Sequence, residues 1–156
     1  MKQIKFALLA LIAGLTVSCS SSSSSGSSSD DLYVNFKVNG TQSNMVDPGT
    51  ITSLMASISA SEDVGQDIRT VIFTIPVNPT VGTHEITNAS GSDLTAYSAT
   101  YMLGDVNVVA TSGTYTITSI GAEYMEGTFS FTGEDGGVNY AITEGTFRAY
   151  KPTPNN

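Results

Sequence analysis

The chain has 156 residues, with six basic and fourteen acidic side chains, one histidine, one cysteine and no tryptophan, for a formal net charge of −8. Such an acidic chain lacks the basic footprint that nucleic-acid binding needs, and its charge opposes lying flat on an anionic membrane. A single cysteine excludes an internal disulfide framework, and one histidine beside it leaves too few ligands for a structural zinc site.

The first residues, Met1-Lys2-Gln3-Ile4-Lys5, lead into FALLALIAGLTV, Phe6 to Val17. A basic end followed by a short apolar run is the layout of a secretory signal. The run is too short to span a bilayer, which takes ~20 residues. Residues 1–18 are therefore read as a signal peptide outside the fold. Removing Lys2 and Lys5 with it takes the formal charge from −8 to −10.

Cys19 follows directly, after Leu15, Thr16, Val17 and Ser18. This stretch resembles the bacterial lipoprotein signal, in which a small residue precedes a cysteine that is diacylated and then becomes the new N-terminus. That class favours leucine at −3, where this chain has Thr16; its leucine stands one place further out. The resemblance implies a palmitate-type modification of Cys19 and a membrane partner reached through lipid. Each buried methylene contributes ~0.8 kcal/mol, so one acyl chain holds marginally and two hold firmly. The alternative is ordinary secretory cleavage nearby, leaving a free thiol.

Residues 19–31 are the cysteine and a serine-rich tract. Ser/Gly sequence cannot bury enough surface to fold and behaves as a random coil of about 5–6 Å × √n. Ser20 to Asp31 is thus expected to form a tether of roughly 20 Å, with a stretched limit of ~40 Å.

Past Asp31 the hydrophobic period becomes two. In LYVNFKVNG, Leu32, Val34, Phe36 and Val38 alternate with polar residues up to an Asn-Gly turn, which predicts a half-buried strand and a hairpin. In SLMASISA, Leu54, Ala56, Ile58 and Ala60 share a face. DIRTVIFTIP is denser and stops at Pro76, so it reads as a central strand buried on both sides. TAYSATYML aligns Tyr97, Ala99, Tyr101 and Leu103, and VNVVAT, GTYTITSI, EGTFSFTG and NYAITEGTFRAY complete the set. No segment sustains a helical period. Turn signals at Asp47-Pro48-Gly49, Glu62 to Gly65, Asn78-Pro79, Ser90-Gly91-Ser92 and Gly133 to Gly137 separate the runs. About eight to ten short strands predict one all-β domain over 32–151, an antiparallel β-sandwich with a β-barrel as the alternative, followed by a flexible tail at 152–156.

Four segments share Gly-Thr-ring: GTHEI (82–86), GTYTI (113–117), GTFSF (127–131) and GTFRA (145–149). Their uneven spacing excludes a solenoid or propeller. The expected role is structural, with glycine leaving a turn or bulge, threonine starting the strand and the ring filling the core. With Phe36-Lys37-Val38-Asn39-Gly40 near the start, the stretch from Ser112 to Tyr150 resembles the C-terminal half of small β-rich surface lipoproteins of the Bacteroidota type. The resemblance implies an outer-membrane or surface location and a domain of unknown function, and it supplies no catalytic residues.

Candidates for chemistry are few. His84 stands beside Glu85, but adjacent strand residues point to opposite faces, and no Gly-x-Ser-x-Gly elbow accompanies it. Glu134 and Asp135 in a glycine-flanked loop, with Glu123, Glu126 and Glu144 nearby in sequence, are weak calcium candidates without the EF-hand spacing. Tyr97 and Tyr101 are weak candidates for a ligand-stacking platform, against a core role. The expectation is a lipid-anchored outer-membrane protein, non-enzymatic and without cofactor, that binds a glycan or protein ligand and no nucleic acid. The alternatives are a hydrolase using carboxylate or serine chemistry, or an assembly subunit that recruits a strand.

Overall fold

The computed structural model describes residues 32–88 and 93–154. The apolar run, Cys19, the serine tract and the turn signal at Ser90-Gly91-Ser92 lie outside the described residues. Ten strands follow in order among those described: β1 Tyr33–Val38, β2 Thr41–Val46, β3 Gly49–Thr52, β4 Ala56–Val64, β5 Asp67–Ile75, β6 Gly82–Ile86, β7 Ser98–Leu103, β8 Val106–Ile120, β9 Tyr124–Asp135 and β10 Val138–Tyr150. They form one antiparallel sheet in the order β2-β1-β10-β9-β8-β7-β5-β4-β3, with β6 paired to β8. The sheet is open and strongly curled into a half-barrel, so the fold is all-β as expected.

The hairpins have local causes. Asn39 and Gly40 both take positive φ, 47° and 86°, as do Gly136 and Gly137, 57° and 81°. Two-residue loops of this kind match the right-handed twist of the strands they join. Alternation then sends one side chain in two inward. Val34, Phe36, Met45, Ile58, Val71, Phe73, Tyr101, Tyr115, Ile117, Phe129, Phe131 and Phe147 are all buried. Their rings interlock. Phe73 lies 4.5 Å from Phe129, 5.1 Å from Tyr115 and 6.5 Å from Phe131, and Tyr115 stacks on Phe147 at 4.7 Å, centroid to centroid. Such pairs contribute ~0.5–1.5 kcal/mol each beyond the area they bury.

Several expectations are corrected. β5 is central but not buried on both sides. Val71, Phe73 and Ile75 point inward, whereas Ile72 is half-buried and Ile68 is exposed, because among the described residues no second layer covers the outer face of the sheet here. Leu54 does not share the face of Ala56, Ile58 and Ala60; it precedes β4 and is exposed. VNVVAT and GTYTITSI are one 15-residue strand, β8, with register shifts against β9 between Ala110 and Ser112 and between Ile117 and Ser119. Its first part pairs with β7 and its second with β6. Pro152, expected in the tail, is buried.

In the Gly-Thr-ring segments the rings behave as expected for Tyr115, Phe129 and Phe147, which fill the core. The glycines differ. Gly82 does open β6, but Gly113, Gly127 and Gly145 lie inside strands. A Cβ on Gly127 would strike the Thr116 carbonyl and the Phe147 ring, and one on Gly145 would strike the Phe129 ring. The missing side chain is thus the hole into which a ring from the neighbouring strand fits.

The two ends of the strand order, β2 and β3, are consecutive in sequence and joined at Asp47-Pro48, with Asp47 at φ 51°. Across the gap between β2 and β4, Ser43 Oγ donates to Glu62 Oε1 at 2.6 Å, and Arg69 Nη1 donates to the same oxygen at 2.7 Å. Side chains, not a backbone ladder, close this seam.

Candidate functional site: a tyrosine-lined cleft

β9 and β10 pair so that Tyr124 lies opposite Tyr150 and Glu126 opposite Arg148, while Met125 and Ala149 between them face the core. This register depends on one irregularity. The β9–β10 pairing shifts between Ile142 and Gly145, where Glu144 takes φ 51°. The extra residue is a β-bulge, and it sets which side chains beyond it meet across the strands.

The outward side chains form an aromatic and charged group. The Tyr124 and Tyr150 rings are 5.2 Å apart and inclined at 38°. The Arg148 guanidinium lies 5.0 Å from the Tyr124 ring centre, within cation–π range, and its Nη1 donates to Glu126 Oε1 at 2.6 Å. Three further bonds shape the surroundings. Gly121 N–H donates to Tyr124 O at 2.8 Å, closing the β8–β9 turn. Lys151 N–H donates to Glu123 O at 2.7 Å, holding the end of the chain beside that turn. Thr50 Oγ1 donates to Tyr150 O at 3.0 Å, bringing β3 alongside.

The result is an open cleft of about 590 Å³ lined by Thr50, Thr52, Glu123, Tyr124, Tyr150 and Lys151. A shallower hollow of about 300 Å³ shares Glu123 and Tyr124 and adds Glu126 and Arg148. Tyr150 is 49% exposed. Two carboxylates face two cations here, so the site is locally neutral on an otherwise acidic chain.

The residues singled out from sequence lie elsewhere. Tyr97 and Tyr101 do share a face, but it is the inner one, at 6% and 1% exposure. Neither offers a surface platform. Tyr101 meets Phe36 edge-on at 6.3 Å. Tyr97 stacks on His84 at 4.1 Å, and burial raises its phenol pKa. His84 Nε2 is 2.8 Å from Thr80 O; since a carbonyl only accepts, this nitrogen carries the proton. Glu134 and Asp135 sit at the end of β9, opposite Asn139 and Val138. The carboxylates near them in sequence are spread apart. Glu126 pairs with Arg148, Glu144 pairs with Lys37 at 2.7 Å, and Glu123 borders the cleft. Among the described residues, no three histidines, cysteines or acids are grouped to hold a metal, and no helix is long and apolar enough to cross a membrane. Cys19 lies outside the described residues.

Tyr124, Tyr150 and Arg148 were not singled out from sequence, and Glu126 was named only beside the calcium candidates, not as a partner of Arg148. The Gly136-Gly137 turn signals the hairpin, but pairing outward from it brings these four together only once the extra residue at Glu144 is counted. Comparison of the chain with family models, curated proteins and solved structures gave no match.

Proposed function

We propose that this chain is a lipoprotein held at the outer membrane by acylated Cys19, with a folded domain that is a non-enzymatic binding or adhesion module. The observation that carries the binding reading is the half-exposed Tyr150 packed beside Tyr124 on the wall of a cleft with balanced charges. Exposed aromatic rings with polar tips are costly to leave in water and well suited to ligand contact. The non-enzymatic part is supported by His84, the one histidine, whose ring is stacked on Tyr97 and whose Nε2 is bonded to Thr80. Anchoring is supported by the order of the sequence, in which an apolar run, Cys19 and a serine tract precede the domain. It also agrees with the resemblance to small β-rich surface lipoproteins.

Metabolic labelling with palmitate tests the anchor. The full chain, expressed with its own N-terminus in a bacterial host, is expected to take up label and partition with membranes, and Cys19→Ala is expected to do neither. Label retained by Cys19→Ala would refute it.

A further inference from the structure

We infer that the Tyr124–Tyr150 cleft binds a neutral carbohydrate. This rests on the binding-module reading and names its ligand class. The inference is drawn from what lines the cleft. A sugar ring has an apolar C–H face and a rim of hydroxyls that both donate and accept. The cleft offers the matching parts: two tyrosine rings inclined to each other, hydroxyls of Thr50 and Thr52, the Glu123 carboxylate as acceptor and the Lys151 ammonium as donor. Its volume of about 590 Å³ falls in the small-molecule range of ~300–1,000 Å³.

Charge excludes the main competitors. An acidic glycan, a phosphate or an acidic peptide needs surplus cations, yet Lys151 stands with Glu123, and Arg148 is bonded to Glu126 at 2.6 Å. A peptide anchored by aliphatic side chains needs an apolar pocket, and Ala122 is the one aliphatic side chain among the lining residues. Hydroxyls need neither. They exchange hydrogen bonds with water for charge-assisted ones to carboxylate and ammonium, which are about twice as strong as neutral pairs.

The test uses the full chain, screened against immobilised neutral oligosaccharides with uronate-containing oligosaccharides alongside, followed by calorimetric titration of the tightest binder. The expected result is selection of a neutral oligosaccharide, with affinity lowered roughly tenfold or more in Tyr150→Ala and within about threefold of wild type in Tyr150→Phe. Glu123→Gln is expected to weaken binding by about tenfold. Both sites are at the surface, and an unchanged melting temperature confirms an intact fold. Preference for the uronates, or neutral binding that Tyr150→Ala leaves intact, would overturn the assignment. A protein ligand retained through Tyr150, with no glycan bound, would overturn the carbohydrate class and leave the binding module standing. Loss of all Tyr150-dependent binding would overturn both.

Discussion

Two cross-strand arginine–glutamate pairs in this molecule are built alike and surrounded differently. Glu62 faces Arg69 across β4 and β5, and Glu126 faces Arg148 across β9 and β10. In each, Nη1 donates to Oε1, at 2.7 Å and 2.6 Å. The first pair is 11% and 24% exposed for Arg69 and Glu62, and its shared oxygen also takes the hydroxyl of buried Ser43. The second is 25% and 40% exposed for Arg148 and Glu126, and its guanidinium leans on a tyrosine beside an open cleft. Burial decides the role. Where the pair is more deeply set, it joins two parts of the sheet and its loss leaves Ser43 and Arg69 without an acceptor. Where water enters, the same chemistry adds little to stability and can serve a ligand.

The sharpest way to break the comparison is Glu62→Ala. It leaves Arg69 and Ser43 without their shared acceptor, and Arg69 Nε is already buried with no hydrogen-bond partner among the described residues. The expected cost is about 2 kcal/mol, read as a lower urea midpoint. An unchanged midpoint would mean the seam carries no load.

Tyr115 supplies the opposite extreme, since its hydroxyl is buried with no hydrogen-bond partner among the described residues. Tyr115→Phe keeps the ring and removes that group, so stability at neutral pH is expected to rise by about 1 kcal/mol. Burial first, and then Tyr97, hold the Tyr115 phenol well above its ordinary range. The unfolded chain therefore releases this proton at a lower pH than the folded one. Stability falls as pH rises past about 10, and the fall should be shallower in Tyr115→Phe. Parallel alkaline unfolding curves would refute the assignment.

The smallest expected effect is at the second pair. Glu126→Ala should cost no more than about 1 kcal/mol, a value that 1 M salt reduces further. A loss as large as that of Glu62→Ala would erase the distinction between seam and cleft.

The fold was more legible than the site, for physical reasons. Alternation in LYVNFKVNG and the glycines at its turn gave β1 and its hairpin, because side-chain period and positive φ are local properties. The faces of β5 were misread because Ile68 and Ile72 report hydrophobicity but not whether a second layer exists to cover them. Tyr97 and Tyr101 were legible as a shared face, yet which side of the sheet that face occupies is set by the curl of the whole sheet. The cleft was hidden because Tyr124 and Tyr150 are 26 positions apart in sequence and meet only through the bulge at Glu144.

The pairing of Tyr33 with Arg148 has a bearing on how the molecule presents itself. The chain enters the domain at the same pole as the ring-lined opening, beside the residues that border it. Whatever grips the leading segment grips the domain by its mouth.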